Sequence, residues 1–430
     1  MLKQLTLERF LIDQMIPSDR KALQSRRSRV EVPMVPLRVF APFAFGYFLS
    51  FLFRAVNAVA GPGIAADLAI EPAALGFLTS VYFLTFAAIQ LPLGVLLDRY
   101  PANRVEAVLL VVAAAGSALF AIGGDLSTVT VGRALIGLGV SAGLMAAFKA
   151  YSTIVPIERL PFVNGLHLSL GGLGMLVGGL PSEMAMDVVG WRGLFLALAL
   201  LALVSSALLW GFAATPVPKT AGGSLASQFR DVGRILGGRP FRRIAPAGTA
   251  AQMAALALQS LWTGPWLRDV AGFSPRAAAG ILSAMALSMM AGYVVSGWAA
   301  GRLMRHGVPL QTTTLAGIAA IFVSLVLVLL LPPTVAVAAW IAFAFLAPSS
   351  MLAYPLLTAA YPTSLSGRVN TALNFVVFVA AFLGQWGYGV LLGAVTPALG
   401  VAGAHALGIG TFAALLAVSL AWAVFDARRP

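Results

Sequence analysis

Gly94-Val-Leu-Leu-Asp98-Arg99-Tyr-Pro-Ala-Asn-Arg104 is a short charged turn set between two long apolar runs, 72–97 and 105–123. A helix needs about 20 apolar residues to cross a hydrocarbon layer roughly 30 Å thick, and every backbone polar group in that layer must be satisfied within the segment. The turn therefore marks a point where the chain leaves a membrane and re-enters it.

Working outward, the same pattern repeats through a 430-residue chain that is 60% apolar and only 10% charged, an all-α membrane composition. Twelve runs qualify: 39–63, 72–97, 105–123, 128–154, 162–188, 193–213, 244–266, 277–303, 310–331, 334–360, 369–395 and 404–425. Twenty-two Lys and Arg residues fall on the side of the Asp98-Arg99 turn, against three on the other, Arg192, Arg268 and Arg276. Basic residues near helix ends stay cytoplasmic, so both termini are expected there, in a multi-pass protein of the bacterial inner membrane. The net charge of +13 then reports topology, and no nucleic-acid partner is implied.

Residues 1–38 lack the short apolar core and small-residue cleavage site of a signal peptide and read as a cytoplasmic arm. Residues 214–243, with Pro216, Pro218, Gly222 and Gly223, read as a cytoplasmic linker between bundles at 39–213 and 244–425, and 426–430 as a cytoplasmic tail. The halves echo each other: Gly94-Val-Leu-Leu-Asp98-Arg99 has a partner 203 positions later in Gly297-Trp-Ala-Ala-Gly301-Arg302. Such repetition indicates a duplicated six-helix unit. There is no cysteine, which excludes disulfides and thiolate metal sites.

The Gly94 to Arg104 turn resembles the loop between helices 2 and 3 of the major facilitator superfamily. Arg133-Ala-Leu-Ile-Gly137-Leu-Gly139 and Gly367-Arg368-Val-Asn-Thr371 are similar to further motifs of that family. The resemblance implies two six-helix bundles related by a pseudo-twofold axis, moving solute by alternating access. It also implies gating roles for Gly94, Asp98, Arg99, Arg104, Arg133, Arg302 and Arg368, with Asp98 near the start of the eleventh helix. Gly165, Gly174 and Gly178 fit only part of the family's antiporter motif, which argues against drug–proton antiport.

Substrate chemistry must come from polar groups at bilayer depth, where a charge is costly and usually functional. Arg54 lies mid-way along the first run, and at 100° per residue it shares a stripe with Tyr47, Ser50, Asn57 and Gly61. With no acidic residue at matching depth, a bound anion would neutralise it, and the first run resembles that of the superfamily's anion carriers. Those carry a second Arg on helix 7; here Gln252, Gln259 and Thr263 stand on that face. One guanidinium facing a carboxamide suits a singly charged or mixed-polarity ligand better than a phosphate ester.

Tyr82, Gln90, Asn374 and Gln385 are further candidates for the substrate wall, and each is equally a helix-to-helix hydrogen bond. His167 and Glu183 are the candidates for carrying a coupling proton, although His167 also fits a close-packed glycine face and Glu183 a solvated helix end. Met285 and Met289, one turn apart, could hold a soft cation, but without His or Cys nearby they read as packing, and no metal site is assigned. The three histidines lie in separate segments, and no phosphate-binding loop is present. The expectation is a monomeric secondary transporter without a cofactor, taking a small anionic or mixed-polarity solute, with a proton as candidate coupling ion. A transporter-like ligand sensor, a drug effluxer and a copper importer are the alternatives.

Overall fold

The computed structural model describes residues 36–155, 160–216, 225–362 and 365–426. Residues 1–35, Arg159, residues 217–224 of the linker, Arg428 and Arg429 lie outside the described residues, as does the side chain of Asp98.

The helices are α1 (Leu37–Ala55), α2 (Asn57–Leu68), α3 (Pro72–Arg99), α4 (Ala102–Ile122), α5 (Leu126–Gly139), α6 (Gly143–Ile154), α7 (Leu160–Val177) and α8 (Leu180–Phe212). They continue as α9 (Leu225–Gly237), α10 (Arg239–Ala257), α11 (Thr263–Asp269), α12 (Pro275–Arg305), α13 (Leu310–Leu330), α14 (Pro333–Leu346), α15 (Ala353–Thr358) and α16 (Ser366–Asp426). Among the described residues nine helical stretches are long and apolar enough to span a membrane. Two conceal a second crossing. The 61 residues of α16 are broken at Gly400 (φ 68°, ψ 172°), and α8 at Gly190 (φ 67°, ψ 174°). That left-handed backbone is one glycine adopts readily, so each pair of spans joins through a single residue instead of a loop. With α7 leading into α8, and α10 continuing through a π-helical turn (Leu258–Trp262) into α11, all twelve apolar runs are helical.

Local chemistry sets the starts. Asp125 caps α5 by accepting from the Thr128 N–H at 2.9 Å and the Thr128 hydroxyl at 2.6 Å. Ser274 does the same for α12, and prolines sit in the first turns of α3, α8, α10, α12 and α14, where a missing N–H costs nothing. The duplication is visible in the backbone as well. Ala69 (φ 50°) and Gly272 (φ 74°), which end the first and seventh crossings in left-handed geometry, are 203 positions apart, the spacing of the Gly94 and Gly297 motifs.

Two six-helix bundles face each other, α3 against α16 and α7 against α12. Inside the first bundle α4 and α5 approach through Gly116 and Gly132, where a Cβ on either would strike the partner's backbone. The linker helix α9 buries Val232 and Ile235 against Phe241, Leu357, Val369 and Leu373, and Asp231 pairs with Arg368 at 2.7 Å. Arg368, expected beside Asp98, is thus held by the linker.

On the face opposite the basic loops the bundles approach closely at glycines. Gly389 of α16 lies against the Pro72 carbonyl and the Trp262 ring, and Gly264 against the Ala58 carbonyl. Pro62 has no N–H to return to Ala58, which leaves that carbonyl free of its usual helical partner. Gln385 completes the seal: its Nε2 donates to Thr79 Oγ1 at 2.7 Å, its Oε1 accepts from Ser260 at 2.7 Å, and its carbonyl accepts from Trp262 Nε1 at 2.9 Å.

Gly389→Ala places a methyl where backbone and ring leave no room, and overpacking of this kind costs about 1–3 kcal/mol. The seal should open several-fold more often. A lone cysteine replacing Ala58, buried at 4% exposure, should then react faster with a water-soluble maleimide; an unchanged rate would mean that the glycine contact does not hold the seal.

Candidate functional site

Between the bundles lies a cavity of about 90 Å³. One bundle supplies Phe51, Arg54 and Met175, and the other supplies Gln252, Gln259, Ser260, Met289, Tyr293, Pro348, Ser350, Asn374 and Phe378, among others. Two irregular stretches form much of the wall. The π-helical turn Leu258–Trp262 carries Gln259 and Ser260, and the 3₁₀ stretch Ala347–Leu352, with Pro348 in its first turn, carries Ser350. Non-helical backbone at membrane depth survives only where protein or a water-filled cavity receives it, so these breaks and the cavity belong together.

Arg54 is 7% exposed and forms no hydrogen bond or ion pair among the described residues; its Nε is buried without a partner. Its guanidinium lies among five rings, with its central carbon 4.7 Å from the centre of Phe51, 5.5 Å from Phe378, and 5.8, 5.9 and 5.8 Å from Tyr82, Phe83 and Phe86. Cation–π contacts offset part of the cost of burying the charge. They leave its N–H donors unsatisfied, and guanidinium donors match a planar or tetrahedral oxyanion in two-pronged geometry. Gln252 and Gln259 add two more buried Nε2 atoms without partners. Unmatched donors thus converge on the cavity from both bundles.

Of the expected wall residues, Arg54, Gln252, Gln259 and Asn374 line the cavity, the last accepting from Tyr354 Oη at 2.7 Å. Tyr47, Asn57, Tyr82, Gln90 and Gln385 do not line it. The Tyr47 ring packs on His167 at 4.6 Å and on Phe51 at 4.9 Å, one layer nearer the basic face. Asn57 turns to Arg133 of α5, and with its amide oxygen facing that guanidinium it accepts from both terminal nitrogens. Tyr82 donates to the Ser50 carbonyl at 3.2 Å and lays its ring under Arg133, 4.6 Å away. Gln90 is buried at 4% exposure with an unpartnered Oε1. Gln385 shares a stripe with Asn374 but lies eleven residues on, roughly 16 Å along the axis, in the seal.

The residues with expected gating roles are spread along the basic face and the core. Arg133 is fully buried and donates to the Phe53 carbonyl at 3.0 Å, fastening α5 to α1. Arg104 stacks on Trp210 at 3.8 Å and Arg302 on Trp298 at 5.7 Å; Gly94 is half-buried and Arg99 exposed. Glu183 is half-buried at the start of α8, in the electrostatic field of Asp187 and Arg268. His167 is fully buried, its Nδ1 3.1 Å from Tyr151 Oη and its Nε2 without a partner.

Sequence reasoning missed the π-helical turn, the 3₁₀ stretch and Glu106, whose carboxylate is buried at 1% exposure. The one local signal was Ala347-Pro348-Ser349-Ser350, a helix-breaking cluster inside an apolar run.

Comparison with known proteins agrees with this architecture. The Major Facilitator Superfamily profile matches residues 43–385. The chain is similar to a probable sulfoacetate transporter, SauU, of Cupriavidus necator, with 24% identity over 190 residues, 44% of this chain and 43% of that protein. It is also similar to the riboflavin transporter RibZ of Clostridioides difficile, with 25% identity over 151 residues, 35% of this chain and 33% of the relative. The matched stretch is thus less than half of either relative. Among solved structures, a bacterial homologue of the human lysosomal transporter Spinster, inward-facing and unoccupied, superposes with a TM-score of 0.77 at 17% identity, covering 92% of this chain and 98% of that one. A D-xylose–proton symporter gives 0.71 at 14% identity, covering 90% and 97%.

Arg133→Gln should lower thermal stability, because hydrogen bonds from a buried charge are each worth about 1.5–3 kcal/mol. It should leave ligand affinity nearly unchanged, since the side chain turns away from the cavity. Melting curves in detergent with and without ligand check both halves of this; a lost ligand response at unchanged melting temperature would contradict it.

Proposed function

The chain belongs to the Major Facilitator Superfamily, and from that premise we propose that it is a secondary carrier of a small organic anion, a sulfonate or carboxylate, gripped between the two bundles by Arg54. One observation carries the reading: a buried guanidinium without a hydrogen bond or counter-charge among the described residues, aimed at a cavity that also presents unmatched amide donors. The cavity has room for several waters or one oxyanion group, and closing on such a group would remove the charge penalty. A relative named for sulfoacetate, a compound that carries a sulfonate and a carboxylate, supports this ligand class.

In this reading residues 39–213 and 244–425 rock about the site, 214–243 link them, and residues 1–38 and the tail 426–430 are cytoplasmic. The basic face is the cytoplasmic one, and the protein works as a monomer in a bacterial inner membrane. In this reading the sealed face is the outer one and the conformation is inward-facing, a state also seen in a solved structure of similar fold. Gly94, Asp98, Arg99, Arg104, Arg302 and Arg368 serve the cytoplasmic gate, and Arg133 steadies α1 behind the site.

Arg54→Lys keeps the charge and loses the two-pronged donor geometry, so affinity should fall tenfold or more, about 1.4 kcal/mol. Counterflow of labelled sulfoacetate, with acetate, methanesulfonate and riboflavin as competitors, measures this in proteoliposomes. Competition by the anions alone is expected, and full activity of Arg54→Lys would defeat the proposal.

A further inference from the structure

On the basic side of the Arg54 layer, α4 carries a carboxylate that this transport reading does not use. Glu106 is 1% exposed, and neither carboxylate oxygen has a hydrogen-bond partner among the described residues. Its Oε1 presses on α1 at Gly46, where any side chain would collide with it. A buried carboxylate with no donor and no cation is costly as an anion and cheap as the neutral acid.

The surroundings supply what a proton-exchanging group needs. Tyr151 of α6 is fully buried within electrostatic reach of Glu106, and its hydroxyl meets His167 Nδ1 at 3.1 Å. His167 Nε2 is itself unpartnered. From His167 the packing continues through Tyr47 to Phe51 and the Arg54 guanidinium. Gly46 and Arg54 lie on one rigid helix, eight residues and roughly 12 Å apart.

We propose that Glu106 is the binding site of the coupling proton. In the present conformation the carboxyl is neutral against Gly46. When α1 moves with the rocking bundle, the Tyr151 hydroxyl turns from His167 to donate to the carboxylate, and the proton leaves to water at the mouth. No bond other than O–H is made or broken, and the neutral acid becomes an anion plus a hydrated proton. Since the helix that packs on Glu106 also carries Arg54, proton occupancy and anion occupancy bias the same two-state element. This rests on the anion-carrier reading for its purpose, although not for its test.

Among the described residues, the groups that share the site with Glu106 are few. From α6 come Tyr151 and Lys149, the latter already engaged in an interaction of its own; from α1 comes Tyr47, with Arg38 exposed eight residues from Gly46; from α7 comes His167. The packed part of α8 contributes Ser206, which bonds the Ala107 carbonyl at 2.7 Å, and the near end of α3 contributes the exposed Arg99. On α4 itself Arg104 is stacked on Trp210.

The chain has no native cysteine, so an Ala58→Cys background reports opening of the sealed face without any ligand. Its labelling rate in liposomes, divided by that of a fully exposed cysteine to cancel the thiol's own ionisation, should depend on pH, and Glu106→Gln should abolish that dependence, fixing the ratio at the acid-limit value. Tyr151→Phe, which removes one hydroxyl from a closely packed ring, should shift the pH midpoint and guards against misfolding of the first variant. In sulfoacetate assays Glu106→Gln should retain counterflow but lose accumulation driven by a pH gradient, a loss of about tenfold per pH unit for one proton per solute. Arg54→Lys should do the reverse, losing counterflow while keeping pH-dependent labelling, so failure of the anion reading and failure of the proton site are separable. Labelling that is independent of pH in the parent, or unaltered in both Glu106→Gln and Tyr151→Phe, overturns the assignment.

Discussion

A positive charge buried without a counter-charge among the described residues governs this molecule. Arg54 stands where an isolated ion costs several kcal/mol even after relaxation, and the protein supplies aromatic faces in place of a carboxylate. A carboxylate partner would have made a stable internal salt bridge and an empty site. Rings lower the penalty while leaving the donors free, which is the condition for binding an anion reversibly. Phe378 comes from the opposite bundle, so the same contact that stabilises the charge also ties it to the relative position of the halves.

The wall around that charge follows from the same constraint. A straight helix satisfies its own backbone and offers few polar groups to a ligand. The crossings at 239–269 and 333–358 are broken where they pass the cavity, one by a π-helical turn and one by a 3₁₀ stretch. Each break turns side chains such as Gln259 and Ser350 toward the centre. At the sealed end the reverse holds: Gly389 meets the Pro72 carbonyl and Gly264 the Ala58 carbonyl, so backbone approaches backbone with no side chain at those two points.

Much of this was legible in the sequence because topology and depth depend on hydropathy and charge, which composition carries directly. The twelve runs, the duplicated Gly94 and Gly297 motifs and the placing of Arg54 are readings of that kind. Helical periodicity gives the direction in which a residue points but not its level: Asn374 and Gln385 share a stripe, yet one faces the cavity and the other closes the seal. Periodicity also failed for Asn57, close to the Arg54 stripe, because its fate was decided by Arg133 on another helix.

Glu106 shows the limit most clearly. In the sequence it is a charge beside Arg104 at the edge of an apolar run, indistinguishable from a solvated helix end. What makes it unusual is Gly46, sixty positions earlier, whose missing side chain lets α1 close over the carboxylate. Burial of a charge is a property of two helices and cannot be read from either alone. Such a group also imposes a demand on the fold, because α1 can rest against the carboxylate only where residue 46 has no side chain. If Glu106 holds a proton and Arg54 an anion, as proposed, the resting position of α1 depends on both, and the uninterrupted stretch from Gly46 to Arg54 within that helix is the mechanical link between them.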